Sequence, residues 1–534
     1  MSGCVRVKPN WWEKCKDSTI VEKWREEATF EISPELFDYA IQELEYFDRL
    51  RDGPMEVSRV NDVWKADGLI PEALKRSLQE GVRALEEVPD HLKDWHPDSD
   101  DQVLDLVHPS LYPVRSGVTL QVDEDKAYWE LPVRGGSPVP FRERSLFESA
   151  DLQWLPTDFL VSPSPEDPKK VGKVTIQSYI NNLLPIKQAS LYKAIAGIFG
   201  YMVPMFEKTL MSLINPLPGR VDMSSDWYPP KPERNKEEGE EVNRKEEKEG
   251  EEGKGKEEKE EEEEEKGKEE EEEEEKEDWR KAMDSEEEWM EKREPIQPLP
   301  KPYVPYPLPQ KRVSLVGKTL QVIVKLANIH LTPEKPRYPG GSWHVEGMRN
   351  EGIVASGIYY YHSSNITPSR LAFRTAVCEP GYEQNDDKGV SAIYGLANEE
   401  PLCQPLGYEE TIEDRCLVFP NLYQHRVRPF RLLDPSKPGV RKILVFFLVN
   451  PGQPILSSSR VPLQSAAMLA EMLKWCLGPL GLFPELYERI AAYLEIMSWE
   501  EAKQSRKALM KERKRITESS NEHFFERLFS LCEH

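Results

Sequence analysis

The sequence predicts an α+β fold in which a double-stranded β-helix, of the jelly-roll or cupin-like kind, lies between helical layers. Helical hydrophobic spacing marks both ends of the chain. Many short apolar runs, punctuated by Gly and Pro, lie between those ends. A run of charged residues interrupts that central part. Short strands with frequent turn residues are typical of antiparallel double-sheet architectures.

We divide the 534-residue chain into five regions, because composition and hydrophobic period change at four places. The regions are an N-terminal helical region at 1–115, the first part of the β core with a packing helix at 116–215, a Pro-flanked, Glu/Lys-rich disordered insertion at 216–311, the main jelly-roll core at 312–460, and a C-terminal helical region at 461–534.

Helix start signals support the helical regions. Ser33-Pro34-Glu35 supplies a capping hydroxyl, a proline at the first helical position and an acid. A further helix is predicted after Pro71, and residues 187–214 predict an apolar helix. Ser498 and Glu501 form a capping-box pattern before a strongly charged segment. None of these segments carries recognisable chemistry, so we expect them to pack against the sheets.

Strand-like runs lie on both sides of the charged insertion. They are residues 118–122, 159–161, 173–182, 320–329, 344–348, 353–361, 371–374, 416–420 and 441–449. Residues 379–410 are polar and rich in Pro and Gly, which predicts a loop.

The insertion dominates the charge of the chain. Residues 236–294 contain 32 acids and 14 bases, a net charge of −18, so the rest carries −7 of the total of −25. Such a stretch buries too little apolar surface to offset its ordering entropy, which predicts a disordered linker. A docking segment for a basic protein partner, anchored by Trp279 or Trp289, is the alternative. A mildly acidic remainder does not indicate nucleic-acid binding.

Cysteine usage and hydropathy predict the compartment. The seven cysteines are dispersed, and none forms a C-x-x-C pair. This pattern is typical of a reducing environment. The first residues lack the apolar stretch of a signal peptide, and no apolar run approaches the roughly 20 residues of a membrane span. We therefore expect an intracellular protein, cytoplasmic or nuclear, with no membrane contact.

The chemistry of the sequence is concentrated in the stretch Gly341–Met348, which contains His344 and Glu346. In a strand, side chains two residues apart share a face, so these two groups point to one place. An imidazole and a carboxylate make up two-thirds of the facial triad that holds non-haem Fe(II) with open positions. His425, which lies 81 residues further on, is the candidate for the third ligand.

Accidental matches to this pattern are expected, since the chain has nine histidines and 96 acids. The other match is His96-Pro97-Asp98. It lies in a polar, proline-containing turn where no strand forms, so we reject it as a ligand pair.

Arg441 opens the last apolar strand, sixteen residues after His425, with apolar residues at every second position after it. A guanidinium facing that apolar interior needs an anion, because an unpaired buried charge is costly. Its planar fork suits a carboxylate, so 2-oxoglutarate is the candidate co-substrate. Three other arginines compete for this role: Arg426, Arg428 and Arg431.

The order H-x-E, then His, then Arg resembles the Fe(II)/2-oxoglutarate-dependent dioxygenase superfamily, with Glu346 in place of the usual Asp. Residues 178–185, 341–348 and 419–425 also resemble blocks of a large, mostly fungal family known only as a domain of unknown function. That resemblance covers most of the chain outside the insertion and implies no known substrate. Leu184 stands where the family usually has histidine. From the first block we assign Tyr179 to the co-substrate site.

Three hypotheses about function follow. The first is an Fe(II)/2-oxoglutarate-dependent dioxygenase that hydroxylates or demethylates an unknown substrate. The second is a non-catalytic interaction protein that uses the acidic insertion and the C-terminal helix for contacts. The third is an oxygenase of the same fold that does not use 2-oxoglutarate. For the enzyme hypotheses, the aromatic residues Trp343, Tyr359 and Tyr361 are candidates for the substrate pocket.

Overall fold

The structure is a computed structural model of the chain. It describes residues 1–28, 32–122, 137–140, 146–221, 227–230, 289, 292–383, 386–480, 483–493 and 496–531. Most of the Glu/Lys-rich insertion, including Trp279, lies outside these residues. The chain divides into two compact units. The larger unit comprises Met1–Gly219, Pro302–Cys378 and Pro401–Arg527, and the smaller comprises Arg220–Lys301, Glu379–Glu400 and Leu528–His534.

Helices occur near both ends of the chain, as the sequence predicts. They are α1 (Ser2–Val5), α2 (Trp11–Lys14), α3 (Ser18–Ala28), α4 (Pro34–Leu50), α5 (Glu72–Glu86), α6 (Ala189–Ile214), α7 (Asp387–Tyr394), α8 (Ala466–Leu477), α9 (Pro484–Tyr493) and α10 (Trp499–Ser520). Both predicted caps are present. The Ser33 hydroxyl accepts the Leu36 N–H at 3.3 Å, and Ser498 and Glu501 form the capping box of α10.

The strands of the described residues all belong to the larger unit. They are β1 (Met55–Val57), β2 (Trp64–Asp67), β3 (Val103–Val107), β4 (Val114–Arg115), β5 (Leu120–Gln121), β6 (Ser137–Pro138), β7 (Leu152–Gln153), β8 (Thr157–Pro163), β9 (Val171–Ile176), β10 (Thr319–Leu331), β11 (Arg337–Tyr338), β12 (Ile353–Ser364), β13 (Arg370–Ala376), β14 (Cys403–Glu410), β15 (Arg415–Pro420), β16 (Gln424–Val427), β17 (Phe430–Arg431) and β18 (Gly439–Val449).

Two antiparallel sheets position the functional residues. The larger has the strand order β1-β2-β15-β12-β18-β10-β8-β9, with β3 also paired to β10. The smaller has the order β14-β13-β16. In the larger sheet β18 is central, because it pairs with β10 on one side and β12 on the other. The mixture of helices and antiparallel sheets agrees with the predicted α+β class.

The two sheets share one apolar core. Its members on the larger sheet are Ile323, Ile358, Tyr360, Leu417, Phe419, Val445 and Phe447, and those on the smaller sheet are Leu371 and Phe373. The larger sheet therefore has an inner face toward the smaller sheet. Its outer face belongs to a second core cluster that includes residues of α4, α5 and α6. Both faces of the larger sheet are covered by apolar side chains, which explains why β12 and β18 are apolar over most of their length.

Helix α6 is long and apolar enough to cross a membrane by length and composition. The structure gives these apolar side chains another role. Ile195, Ile198 and Phe199 are fully buried in the core on the outer face of the larger sheet. The Phe199 ring lies 5.1 Å from that of Phe446. The apolar side chains of α6 therefore pack in the protein core.

Helix α10 covers part of the core between the sheets. Its Leu509 and Ile516 belong to that core. Its Arg513 lies 3.6 Å over the ring of Trp154, and its Nη2 donates to both carboxylate oxygens of Glu351 at 2.5 Å. Glu351 is fully buried and also accepts the Trp154 N–H at 2.7 Å. This ion pair fixes the helix over the core.

We expect Glu351→Ala to lower the free energy of unfolding by about 3–5 kcal/mol, because it removes the fully buried partner of the Arg513 guanidinium, whose side chain is 16% exposed. Urea denaturation of the full chain measures the change. Glu500→Ala, on α10, is the control, since Glu500 is 72% exposed and among the described residues forms an ion pair with Lys503 alone. The control should cost less than about 1 kcal/mol. Equal losses in the two variants would show that the Glu351 pair has no special role.

Candidate metal centre

Residues 341–344 run antiparallel to β16, where the backbones come close. The Gly341 N–H donates to the Val427 carbonyl at 3.0 Å, and His344 and His425 exchange backbone hydrogen bonds of 3.2 and 3.0 Å. Gly340 has φ +93°, and a Cβ there would lie 2.7 Å from the Val427 carbonyl oxygen. Glycine is therefore required at this approach. The predicted strand at 344–348 is reduced to a single bridge followed by bends.

The side chains of His344, Glu346 and His425 converge. His344 and His425 are directly opposite in the ladder, so their rings share a face, with centroids 4.4 Å apart. The Glu346 Oε1 lies 3.6 Å from the His344 Nε2 and 3.3 Å from the His425 Nε2. Adjacent ligands of an octahedral metal with bonds of about 2.1 Å lie about 3 Å apart. The two distances from Glu346 are close to this value, and the ligand atoms of all three residues lie within 4.8 Å of one another, so the group could hold one metal ion.

Backbone groups and one amide orient this triad. The His344 Nδ1 donates to the Ser342 carbonyl at 2.9 Å, which leaves its Nε2 lone pair facing Glu346. Asn421 accepts the Glu346 N–H and donates to the Glu346 carbonyl, both at 2.8 Å, and donates to the Ile353 carbonyl at 3.0 Å. Asn421 was missed in the sequence because nothing distinguishes an amide in a loop before its partners are known.

The triad is electrostatically coupled. Burial disfavours the charged carboxylate of Glu346, but the two histidines outweigh this effect and hold its pKa well below the usual value. Burial also disfavours a charged His344, yet the hydrogen bond and charge of Glu346 raise its pKa. Burial and the neighbouring His344 lower the pKa of His425. The side chain of His425 is 5% exposed and that of His344 is 37% exposed, so the triad opens to solvent at His344.

Arg441 is 2% exposed on the inner face of the larger sheet. Its Nη1 donates to the hydroxyls of Ser369 and Thr411 at 3.4 and 3.3 Å, and its guanidinium lies 5.6 and 5.2 Å from the ring centroids of Tyr360 and Phe430. Burial lowers the pKa of Arg441. Among the described residues, the Arg441 Nε–H has no acceptor, and no carboxylate pairs with the guanidinium. A buried cation without an anion fits an anionic ligand.

The competing arginines point elsewhere. Arg426 follows His425 in β16 and so lies on the other face of the smaller sheet, where its guanidinium is 4.5 Å from the ring of Trp343. Arg428 lies 4.8 Å from the ring of Tyr408. Arg431 is exposed next to Phe430, whose ring faces Arg441. In this structure only Arg441 among the four enters the core between the sheets.

The aromatic candidates for the substrate pocket are placed differently from the prediction. Tyr359 and Tyr361 belong to the core on the outer face of the larger sheet, and Tyr360 belongs to the inner core. The assignment of Tyr359 and Tyr361 to the substrate pocket was therefore wrong. Side chains alternate along β12, and it is Tyr360 between them that points to the inner face. Trp343 adjoins the triad in sequence, but its ring is stacked with Arg374 and Arg426 on the outer face of the smaller sheet.

Tyr179 also lies away from the triad. It belongs to a separate apolar cluster with Leu155 and Leu184, and its hydroxyl donates to the Pro462 carbonyl at 2.9 Å. Its assignment to the co-substrate site was wrong, because that assignment came from the position of Tyr179 within a sequence block. The block packs the core at this point, and Leu184, which replaces the family's histidine, is buried there too.

A second His/Asp group contains His96, Asp105 and His108. His96 contacts Asp105, with its Nδ1 2.8 Å from the carboxylate, and not Asp98. The Ser110 N–H donates to the His108 Nδ1 at 3.2 Å, so neutral His108 carries its proton on Nε2. Burial holds the pKa of His108 well below its usual value. The Nδ1 atoms of His96 and His108 are thus engaged within the protein.

The comparison with known proteins finds solved structures that are only weakly similar to this chain. They include an IDO from Bacillus thuringiensis, at 13% identity with a TM-score of 0.16, covering 25% of this chain and 46% of that one. Another is the Fe(II)/(alpha)ketoglutarate-dependent dioxygenase TqaL, at 15% identity and a TM-score of 0.16, covering 30% and 52%. A third is a Lactobacillus farciminis oxalate decarboxylase, at 13% and 0.12, covering 32% and 38%.

The chain spans about half the length of the first two of these structures. TM-scores this low carry no argument about fold or function. No curated protein matches the chain. The family described as "Protein of unknown function (DUF4246)" matches residues 34–472, which confirms the resemblance to a domain of unknown function seen in the sequence. The chain therefore belongs to the DUF4246 family.

Proposed function

We propose that this chain is an Fe(II)- and 2-oxoglutarate-dependent dioxygenase. In this proposal His344, Glu346 and His425 hold the iron, and Arg441 binds the distal carboxylate of 2-oxoglutarate. The observation that carries the proposal is the combination of a two-histidine, one-carboxylate group with a buried arginine that lacks an acidic partner among the described residues. The first group suits Fe(II), and the second suits a dicarboxylate.

The strand connections support the jelly-roll part of the proposal. From β10 to β18 the chain passes repeatedly between the sheets: β10, β12, β15 and β18 lie in the larger sheet, and residues 341–344, β13, β14 and β16 lie in or beside the smaller. We infer that these segments form the double-stranded β-helix. In it the proximal ligands precede β12, the distal ligand lies on β16 and Arg441 lies on β18.

In this proposal each residue of the site has a separate role. Glu346 would offset part of the metal charge, and the two imidazoles would complete one face of the coordination sphere while leaving the rest open. When bound, the iron supplies O2 activation, in which 2-oxoglutarate becomes succinate and CO2 and the second oxygen atom enters the substrate as a hydroxyl group. Arg441 would orient the co-substrate. Tyr360 and Phe430, packed beside it, would keep water away from that ion pair.

The interaction-protein hypothesis receives less support from the C-terminal helix. Leu509 and Ile516 of α10 are part of the inner core, and Arg506 pairs with Asp94 through hydrogen bonds of 2.6 and 2.8 Å. The face of α10 that carries these side chains is thus used within the larger unit. An oxygenase that does not use 2-oxoglutarate would need no buried arginine, so Arg441 favours the dioxygenase over this third hypothesis.

The proposal is tested by succinate release from 2-oxoglutarate. The full chain is incubated with Fe(II), ascorbate and 2-oxoglutarate, with and without a library of metabolites and peptides. We expect slow succinate formation that depends on Fe(II), and faster formation with a substrate. Glu346→Ala is the matched control for adventitious iron chemistry. Succinate formation at the same rate by this variant, or none above the protein-free level by the unaltered chain, would contradict the proposal.

A further inference from the structure

Three arginine side chains surround one tyrosine ring in the larger unit. The guanidinium carbons of Arg59, Arg370 and Arg428 lie 4.2, 4.6 and 4.8 Å from the ring centroid of Tyr408. The arginines come from three separate segments, since Arg59 lies between β1 and β2, Arg370 opens β13 and Arg428 follows β16. We call these four residues the Tyr408 cluster.

The strand register places the Tyr408 cluster on the outer face of the smaller sheet. Tyr408 pairs with Ala372, which shares a face with Arg370 two residues earlier in β13. The Arg428 N–H donates to the Arg370 carbonyl at 2.9 Å, which continues the pairing of β13 with β16 and sets these two arginines side by side. Leu371, whose side chain points the opposite way, belongs to the core between the sheets. The cluster therefore faces away from that core.

The positive charge of the Tyr408 cluster is not balanced by the protein. Within the part of the chain that the structure describes, Arg59 and Arg428 form no ion pair within 4.0 Å. The Arg370 Nη2 lies 3.8 Å from the Glu410 Oε1, which is too long for a hydrogen bond, and both side chains are well exposed. A tyrosine ring has no net charge, so three cations meet one acid. An excess of two positive charges remains.

Two buried N–H groups of the cluster also lack acceptors. The Nε atoms of Arg59 and Arg370 are shielded from solvent, and neither has a hydrogen-bond partner among the described residues. The adjacent buried acid, Glu409, is already engaged: it accepts the backbone N–H of Arg59 at 2.9 Å and lies 3.4 Å from the Arg415 Nη1. A buried donor without an acceptor is costly, and an oxygen-rich anion would satisfy both groups.

We propose that the Tyr408 cluster binds a phosphate monoester group. Such a group carries a charge of about −1.5 to −2 at pH 7 and three acceptor oxygens, which match the excess charge and the three guanidinium groups. The planar guanidinium fork suits phosphate oxygens in particular. A carboxylate, with one charge and two oxygens, matches the cluster less well. Because the cluster lies on the face of the smaller sheet opposite to His425, this inference is independent of the proposed function.

Calorimetric titration of the full chain, in a phosphate-free buffer of low ionic strength without added metal, tests the proposal. The probes are inorganic phosphate, O-phosphoserine and a phosphoserine peptide with neutral flanking residues. The same peptide with serine or glutamate in place of phosphoserine is the control. We expect saturable binding of one phosphate group per chain, no binding of the serine peptide and binding of the glutamate peptide that is weaker by about tenfold or more.

The probes also distinguish two sources of the phosphate group. Equal affinities for O-phosphoserine and the phosphoserine peptide would support the site and indicate a small phosphorylated molecule as its ligand. Tighter binding of the peptide would support the site and indicate a phosphorylated protein segment.

Arg59→Gln, Arg370→Gln and Arg428→Gln should each weaken phosphate binding by roughly 10- to 100-fold, because each removes one charge-assisted contact. Melting curves identify the variants that fold, and the three separate segments provide three independent measurements. Arg83→Gln is the control, since Arg83 lies on α5, is 65% exposed and lies 3.9 Å from Glu87. It should bind phosphate as the unaltered chain does. No phosphate binding by the unaltered chain, unchanged affinity in the folded cluster variants, or equal binding of the glutamate and phosphoserine peptides would overturn the proposal.

Discussion

Arg441→Lys should weaken 2-oxoglutarate binding by about 30- to 1,000-fold, because a point ammonium replaces a bidentate fork in a buried, charge-assisted pair worth roughly 2–4 kcal/mol. The iron affinity should not change, since the triad is untouched. Arg441 suits this test because its existing contacts are two hydroxyls and two aromatic rings, all of which a lysine can still approach. Calorimetric titration of both ligands on the same variant measures the two affinities.

Arg428→Lys is the matched control for this variant. Arg428 directly follows β16 of the smaller sheet. Its guanidinium lies over the ring of Tyr408, away from the inner core. It should keep the 2-oxoglutarate affinity of the unaltered chain. An unchanged 2-oxoglutarate affinity in Arg441→Lys would remove Arg441 from the site. An equal loss in the Arg428 variant would indicate that both substitutions act through the fold.

Removal of any one triad ligand should abolish stoichiometric iron binding. His344→Ala, Glu346→Ala and His425→Ala each leave two protein ligands, and we expect the Fe(II) affinity to fall by more than about 100-fold, beyond the usual effect of losing an outer-shell partner. The fold should persist in the His344 and Glu346 variants, because both side chains lie where the site opens to solvent. Metal analysis after dialysis against Fe(II), together with melting curves, measures both quantities.

His96→Ala provides the control for nonspecific loss of iron. His96 belongs to the second group of possible ligands, in which it contacts the carboxylate of Asp105. The variant should retain one Fe(II) per chain. Retention of iron by a triad variant would remove that residue from the ligand set. Loss of iron in His96→Ala would instead transfer the metal site to the second group.

Strand alternation made the triad predictable from sequence. His344 and Glu346 need only local geometry to share a face, and His425 needs only a chain that folds back beside them. The structure brings all three together even though the predicted strand is a single bridge there. The inward direction of Arg441 was predictable for the same reason, because apolar residues recur at every second position after it in β18 and so share its face.

The same alternation failed for the tyrosines of β12. Residues 359–361 are all aromatic and all buried, so their pattern does not distinguish the inner face from the outer one. Strand β14 was missed for a different reason. Its sequence is polar and contains Pro405 and Gly407, which weaken a strand signal, and it lies at the edge of the smaller sheet where such residues are tolerated.

The residues that hold Glu346 and Glu351 in place lie far from them in the chain. Asn421 is 75 residues from Glu346, and Arg513 is 162 residues from Glu351. Hydrophobic period and local motifs carry no information about such pairs.

The central claim is that one site binds Fe(II) and 2-oxoglutarate together, and an anaerobic calorimetric titration of 2-oxoglutarate into the full chain tests it most directly. The titration is performed with and without one equivalent of Fe(II). Metal chelation by the keto-acid end and the pairing with Arg441 should act on the same molecule. We therefore predict saturable binding of one 2-oxoglutarate per chain that is strong with Fe(II) and much weaker without it. Binding that is equal with and without Fe(II), or absent in both cases, would contradict the account.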